Sequence, residues 1–171
     1  ERGRISTQFP RLDASSFIQN MTEPKPTLPK EKQTALGLYV TAKEAYEKWK
    51  AAPEQVKIID VRTPEEYLFV GHPRGALHIP WIDEPEWTVN PHFLRDVRQL
   101  VLGGAVRGED VPVVLICRSG KRSREAGEML VQNGFRRIYN IRDGFECPLD
   151  DEHHRSTQGG WRFEGLPWEQ C

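Results

Sequence analysis

Long hydrophobic runs, charge of one sign and cysteine are all scarce in this sequence. No apolar run approaches the roughly 18 residues that a membrane-spanning helix needs, so the sequence predicts no membrane span. The formal net charge of −1 lacks the basic excess that is typical of nucleic-acid-binding proteins, which argues against such a partner. The 3 cysteines, Cys117, Cys147 and Cys171, form no C-x-x-C pair and are too few for a disulfide framework.

The first part of the chain differs in composition from the rest. The stretch "MTEPKPTLPKEKQ" holds prolines and charges without an apolar period, which predicts an N-terminal arm over residues 1–34. One domain is predicted over residues 35–171. Because the chain starts at Glu1 and carries this arm, we expect an exported bacterial protein in the periplasm, with the cytoplasm as the alternative.

Short apolar runs alternate with helical patterns from residue 36 onward. Strands are predicted at "LYVT", "VKIIDV", "ALHIP", "VPVVLIC" and "RIYNI". Helices are predicted after capping boxes at Thr41 and Thr63, between Asn90 and Gly103 or Gly104, and over "SREAGEMLVQNG". This alternation predicts an α/β domain with a mainly parallel sheet and helices on both faces.

One cysteine stands where the fourth predicted strand ends. Four cations, Arg118, Lys121, Arg122 and Arg124, follow Cys117 within seven positions. Ligands of parallel sheets lie outside the carboxyl ends of the strands. A tight turn there, followed by a helix, can direct backbone amides at an anion. We therefore expect the pKa of this thiol to fall from about 8.5 toward roughly 3.5–7.5. The alternative is a small buried apolar residue.

Three stretches resemble the single-domain rhodaneses of bacteria, the thiosulfate sulfurtransferase family. They are "IIDVRTPEEYLFVGHPRGALHIPW", "CRSGKRS" and "GFECPLDDEHHRSTQGGWRFEGLPW", within residues 36–170. The resemblance implies a rhodanese-like fold with a central five-stranded parallel sheet. It implies a sulfurtransferase that moves sulfane sulfur from thiosulfate, or another anionic donor, to cyanide or a thiol. It implies no metal and no organic cofactor.

The resemblance also assigns roles to individual residues. Cys117 is the nucleophile that becomes a persulfide, and Lys121 and Arg122 hold the sulfonate end of the donor. The rest of the predicted binding set comprises Arg118, Ser119, Gly120, Ser123, Asp60 and Arg62. We interpret the last two, from the D-V-R element, as a scaffold in which Arg62 pairs with a carboxylate or the backbone near the loop. His78, among apolar neighbours, is interpreted as structural.

Features outside the resemblance leave alternatives open. The crossover over residues 81–112 is long, and its Trp81 and Trp87 either cover the active site or, as we favour, pack on the core. Cys147 and Cys171 would pair in an oxidising compartment and remain thiols in a reducing one.

Two other functions compete with the sulfurtransferase. A cysteine phosphatase or arsenate reductase of related fold needs Cys-x5-Arg, but the position six after Cys117 is Ser123. A persulfide carrier would deliver sulfur to a protein partner and turn over thiosulfate poorly. The intact cysteine and basic loop are compatible with such a carrier.

Overall fold

The computed structural model of the chain describes residues 39–83, 85–102 and 110–171. The predicted arm over residues 1–34 lies outside the described residues, as do Gly103 and Gly104. In the described part, no helix has the length and apolar character required to cross a bilayer.

Nine short strands and three α-helices make up the described chain. The strands are β1 (Tyr39–Val40), β2 (Lys57–Asp60), β3 (His72–Pro73), β4 (Leu77–His78), β5 (Ile82–Asp83), β6 (Thr88–Val89), β7 (Val113–Ile116), β8 (Ile138–Ile141) and β9 (Trp168–Glu169). The helices are α1 (Ala42–Ala51), α2 (Phe93–Leu102) and α3 (Lys121–Gln132), and a π-helical segment spans Glu66–Val70.

A five-stranded parallel sheet forms the centre of the fold, in the order β1-β8-β7-β2-β4. In its register, Leu115 of β7 pairs with Ile59 on one side and with Asn140 on the other. The predicted α/β architecture with a central five-stranded parallel sheet is therefore confirmed. Since β7 lies in the middle, the residues that follow it emerge between the ends of two neighbouring strands.

The central strands are buried on both faces, and apart from polar residues such as Asp60 and Asn140 they carry apolar side chains in continuous runs rather than at alternate positions. One face packs against α2 and α3 through residues such as Leu115, Val97 and Leu130. The other face packs against α1 and the C-terminal stretch through Ile116 and Trp161. Burial on two sides explains why the apolar runs of the sequence are continuous.

Helix starts follow the capping chemistry that the sequence carries. The hydroxyl of Thr41 accepts from the amide of Glu44, and its own amide donates to that carboxylate. Thr63 and Glu66 form the same reciprocal pair. The chain that follows Thr63 then widens into the π-helical segment, a feature that the pattern "TPEEY" did not predict.

The third predicted helix begins later than expected. The backbone carbonyl of Asn90 first accepts from the amide of Phe93, and its side chain accepts from the amide of His92. This turn delays α2 to Phe93, two residues beyond Pro91. The crossover also contains a small hairpin, in which β5 pairs with β6.

The C-terminal stretch is part of the domain core. Strand β9 pairs antiparallel with β3, and the fully buried indole of Trp161 packs perpendicular to the ring of Tyr46. Cys147 is buried and Cys171 is exposed, and the structure contains no disulfide between them. Packing rather than a covalent link therefore holds this stretch to the sheet.

The buried and exposed aromatic residues of this stretch allow a test. We expect Trp161→Ala to lower the free energy of unfolding by about 3–5 kcal/mol, because it leaves a large cavity under α1. The control Phe163→Ala removes a ring that is 51% exposed and should change stability by less than about 0.5 kcal/mol. Urea unfolding measures both, and equal effects would contradict the packing described.

Candidate active site

Cys117 lies directly after β7 at the carboxyl edge of the sheet, and it is 1% exposed. It forms part of the wall of a cavity of about 660 Å³. The loop after β7 supplies one side of this cavity with Arg118, Ser119, Lys121 and Arg122. The predicted cysteine and its cations are therefore brought to one place.

The opposite side of the cavity comes from distant parts of the chain. The segment after β2 contributes side chains between residues 63 and 70, including Glu66 and Phe69, and the β5–β6 turn contributes Trp87. The segment after β2 meets the loop because β2 is the neighbour of β7 in the sheet. The motif "CRSGKRS" identifies the loop but not these partners.

Two hydrogen-bond donors are directed at the sulfur of Cys117. The amide of Gly120 lies 3.1 Å from Sγ, and the hydroxyl oxygen of Ser123 lies 3.2 Å from it. Donors in a buried site stabilise negative charge on the atom that they contact. Of the binding residues that were predicted in this loop, these two contact the sulfur itself.

The carbonyl groups at the start of the loop are turned toward the chain that follows β8. The carbonyl of Cys117 accepts from the amide of Phe145 at 2.8 Å, and that of Arg118 accepts from the amide of Glu146 at 3.0 Å. This approach requires glycine at position 144, where φ is +63° and a Cβ would collide with the carbonyl oxygen of Cys117. The carbonyl oxygens of Cys117 and Arg118 are therefore directed at these amides rather than at the sulfur.

Asn140 of β8 completes the support of the loop. Its Nδ2 donates to the carbonyl of Gly120 at 3.0 Å, and its Oδ1 lies 2.6 Å from the hydroxyl oxygen of Ser123. The bond from Nδ2 fixes the orientation of the Asn140 side-chain amide, so that its oxygen Oδ1 faces Ser123 as an acceptor. The hydroxyl of Ser123 has one proton and two acceptors within reach, Oδ1 and the sulfur of Cys117. The hydroxyl can therefore turn toward the sulfur when negative charge develops there.

Asn140 was missing from the predicted site. Its signal in the sequence was a polar residue inside the apolar strand "RIYNI", and the structure buries it completely. A buried polar side chain requires partners, which here belong to the loop.

Arg122 is held by a carboxylate. Its two terminal nitrogens lie 2.7 Å from the two oxygens of Glu66, in a pair that is largely buried. Burial acts to raise the pKa of Glu66, but the hydrogen bond and charge of Arg122 outweigh it, so this pKa lies below its usual value. The same pair raises the pKa of Arg122 although burial opposes it. Arg122 thus stays charged, and the carboxylate of Glu66 offsets that charge at the cavity wall.

Arg118 and Lys121 differ from Arg122 in their surroundings. Both are exposed and line the cavity, and no ion pair among the described residues includes either one. They are the cations that an incoming anion meets without first displacing a carboxylate.

Asp60 and Arg62 do not line the cavity. Both side chains are fully buried, and Nη2 of Arg62 donates to Oδ2 of Asp60 and to the carbonyl of Gly71, each at 2.6 Å. Their inclusion among substrate-binding residues needs correction, because a buried pair cannot reach a ligand in the cavity. The pair joins β2 to the end of the π-helical segment, as the scaffold interpretation expects.

His78 contacts the backbone rather than the cavity. Its Nε2 lies 2.8 Å from the carbonyl oxygen of Arg62, and its ring stacks on Tyr67 at 4.4 Å. These contacts agree with its structural interpretation.

The two tryptophans of the crossover have different surroundings. Trp81 is buried and contacts Phe93 edge to face, with ring centroids 5.1 Å apart. Trp87 is 55% exposed and lines the cavity, as does Phe69, which is 69% exposed. Packing on the core is therefore correct for Trp81 and wrong for Trp87. Phe69 was not predicted, since "EEYLFV" gives no sign of which apolar side chain faces solvent.

Comparison with known proteins places the chain among relatives of similar fold. The profile of the family described as "Rhodanese-like domain" matches residues 41–147. The structure of Rv0390 from M. tuberculosis is similar with a TM-score of 0.65 and 36% identity, over 77% of this chain and 96% of that one. The uncharacterized protein RC0915 of Rickettsia conorii is 30% identical in an alignment of 120 residues that covers 66% of this chain and 81% of that one.

A more distant structure shows the same fold. The polysulfide-sulfur transferase homodimer from Wolinella succinogenes is similar with a TM-score of 0.51 and 23% identity, over 92% of this chain and 90% of that one.

The buried pair at β2 predicts an asymmetric response to mutation. Arg62→Ala should lower the free energy of unfolding by about 3–5 kcal/mol, because it leaves the carboxylate of Asp60 buried without its counter-ion. The double variant Asp60→Leu/Arg62→Met should be less destabilised than Arg62→Ala. Denaturant unfolding measures both, and a double variant that is less stable than the single one would contradict this interpretation.

The pair of Glu66 with Arg122 predicts a pH dependence of stability. The folded-state pKa of Glu66 lies below its ordinary value of 4.5. The ionised carboxylate therefore contributes its full stabilisation above pH 4.5, and this stabilisation is lost as the pH falls through the folded-state pKa. We expect Glu66→Gln to cost about 1.5–3 kcal/mol at pH 7. The difference from the parent should shrink as the pH falls below about 4.5.

Urea unfolding between pH 7 and pH 3 measures this difference. The control Glu54→Gln changes an exposed carboxylate and should shift stability by less than about 0.5 kcal/mol at any pH. A Glu66→Gln difference that stays constant down to pH 3 would refute the assignment.

Proposed function

Because this chain belongs to the rhodanese-like domain family, we propose that it transfers sulfane sulfur through a persulfide on Cys117. The observation that carries the proposal is the environment of Sγ. The sulfur accepts a hydrogen bond from the amide of Gly120 and lies within reach of the hydroxyl of Ser123, while the carbonyls of Cys117 and Arg118 accept from amides of the chain after β8. This arrangement suits a sulfur atom that carries negative charge at the inner end of an open cavity.

The first half-reaction loads the cysteine. The thiolate of Cys117 attacks the outer sulfur of thiosulfate, and the sulfur–sulfur bond of the donor breaks. Sulfite leaves with the bonding electron pair, and Cys117 becomes a persulfide. The terminal sulfur of the persulfide carries the charge that the thiolate had.

Cations of the loop stabilise the donor and the leaving group. Arg118 and Lys121 are exposed at the cavity and hold the anionic end of the donor. Arg122 lines the same cavity, but its guanidinium is paired with Glu66, so the two charges offset each other. Positive charge that faces the leaving group stabilises the transition state.

The second half-reaction unloads the cysteine. Cyanide or a thiolate attacks the outer sulfur of the persulfide and leaves with it, and the electron pair returns to Sγ of Cys117. The two half-reactions share one covalent intermediate and therefore predict ping-pong kinetics.

The geometry of the loop favours sulfur transfer over phosphate chemistry. A Cys-x5-Arg loop places a guanidinium six residues after the cysteine, but here that position is Ser123, whose hydroxyl contacts Sγ directly. The guanidinium of Arg122 forms an ion pair with the carboxylate of Glu66. The loop therefore closes around a single sulfur atom.

Intact mass spectrometry tests the proposed intermediate. After treatment with thiosulfate, the protein should gain the mass of one sulfur atom and lose it when cyanide is added. Cys117→Ala should gain nothing, whereas Cys171→Ala, which removes an exposed thiol, should behave like the parent. A sulfur gain that persists in Cys117→Ala would overturn the proposal.

Steady-state kinetics test the role of the cations. Lys121→Ala should lower kcat/KM for thiosulfate by about 10-fold or more, since a charge-assisted hydrogen bond contributes about 1.5–3 kcal/mol. Arg136 is exposed and precedes β8, at the end of the sheet opposite to Cys117, so Arg136→Ala should leave kcat/KM unchanged. Loading without turnover would instead indicate the persulfide carrier.

A further inference from the structure

The carbonyl end of the π-helical segment Glu66–Val70 finds its hydrogen-bond partners at the far end of the sequence. The last carbonyls of a helix have no partner within it and need one from elsewhere. The amide of Cys171 donates to the carbonyl of Leu68 at 3.3 Å. Nε2 of Gln170 donates to the carbonyl of Phe69 at 2.6 Å. Two residues from the C-terminal end of the chain therefore complete this short segment.

The π-helical segment is too short to hold its conformation alone. It has 5 residues, and none of them is buried in the core. Isolated helices of fewer than about 12–15 residues are marginal in water, and π-helical geometry is itself rare. The ring of Phe69 is 69% exposed and adds little packing. The position of the segment therefore depends on the groups that its backbone contacts.

A C-terminal tail, residues 167–171, reaches this segment because β9 pairs with β3. The amide of Arg74 donates to the carbonyl of Pro167 at 3.1 Å. Trp168 then lies on the backbone at Gly71, where φ is +101° and a Cβ would lie 2.7 Å from Cε3 of the indole. The tail is thus attached to the chain that leaves the π-helical segment.

Trp168 also connects the tail to the loop of Cys117. Its ring meets that of Phe145 edge to face, with the centroids 6.1 Å apart. The amide of Phe145 in turn donates to the carbonyl of Cys117 at 2.8 Å. The tail therefore contacts the π-helical segment on one side of the cavity and a residue that supports the loop on the other.

The position of the segment matters because of the side chains that it carries. Glu66, Phe69 and Val70 line the cavity opposite the loop. Both oxygens of Glu66 hold the guanidinium of Arg122. An outward movement of the segment would loosen this pair and admit water beside Cys117. Water weakens the attraction between the cations of the loop and an anionic donor.

We propose that Gln170 and Cys171 are positioning residues of the sulfurtransferase, which hold the wall opposite Cys117 and limit access to its sulfur. Neither of the two residues lines the cavity. They act through the backbone of Leu68 and Phe69. The effect on turnover rests on the proposed function, whereas the effect on access does not.

Alkylation of Cys117 by iodoacetamide, an uncharged reagent, measures access without any sulfur donor. The matched pair is Cys171→Pro, which removes the amide N–H, and Cys171→Ala, which keeps it. We expect Cys117 to react about three- to tenfold faster in Cys171→Pro, because the loss of one hydrogen bond raises the population with a displaced wall by about this factor. Cys171→Ala should react like the parent, and peptide mapping assigns the label to Cys117.

Gln170 allows an independent test in the Cys171→Ala background, which lacks the exposed thiol. Gln170→Leu removes the donor to the carbonyl of Phe69 and should also speed the alkylation of Cys117 by about three- to tenfold. Gln170→Lys keeps an N–H donor of similar reach and should retain most of the protection. Equal rates in Cys171→Pro, Gln170→Leu and the parent would overturn the proposal.

Steady-state kinetics measure the effect on the reaction itself. Cys171→Pro and Gln170→Leu should raise KM for thiosulfate by about threefold with a smaller change in kcat. The reason is that the wall affects how the donor is held, while the hydrogen-bond donors at the sulfur, Gly120 and Ser123, are untouched. A loss confined to kcat, or kinetics equal to those of the parent, would contradict the positioning role.

The two kinds of measurement separate this inference from the proposed function. If persulfide never forms but Cys171→Pro and Gln170→Leu expose Cys117 to iodoacetamide, the sulfurtransferase proposal fails and the positioning of the wall stands. If persulfide forms and the alkylation rates do not change, the positioning role alone is refuted.

Discussion

The site depends on the direction in which the backbone of one loop points its dipoles. A sulfur atom that must carry charge needs donors near it and carbonyls away from it. In this chain the carbonyls of Cys117, Arg118 and Gly120 each accept a hydrogen bond from the chain between Asn140 and Glu146. The amide of Gly120 is then directed at Sγ. The loop can hold this conformation because the segment after β8 supplies its missing partners.

Gly120 and Gly144 show how little freedom this arrangement leaves. Gly120 takes φ of +92°, and a Cβ there would meet the carbonyl of Arg142. Gly144 takes φ of +63° against the carbonyl of Cys117. Both glycines let two backbone segments approach more closely than any side chain permits. The inner end of the cavity is thus held by contacts between backbone segments.

The pair of Arg122 with Glu66 connects this loop to the opposite wall. It joins α3 to the π-helical segment, and the same segment presents Phe69 to the cavity. The ion pair also removes one cation and one carboxylate from the charge that a ligand meets. The sulfur of Cys117, the charges of the cavity and its aromatic wall are therefore parts of one connected structure rather than separate features of the motif.

Much of the fold could be predicted from local patterns. The apolar runs and the capping boxes at Thr41 and Thr63 placed the five strands of the central sheet and two helix starts, since these depend on residues close in sequence. Cys117 was found in the same way, because a cysteine at the end of a buried strand and before a basic helix start is a local signal. The π-helical segment and the late start of α2 were missed, because hydrogen bonds of the folded chain decide them.

The sequence by itself determined the alternating α/β architecture, the place of Cys117 in it and the cations that surround it. Only the tertiary structure decided which cation is paired, that Asp60 and Arg62 are buried together, and that Asn140, Phe69 and Trp87 belong to the site. The physical reason is that spacing along the chain fixes local conformation. Pairing and exposure depend instead on which distant segments the sheet brings to the same edge.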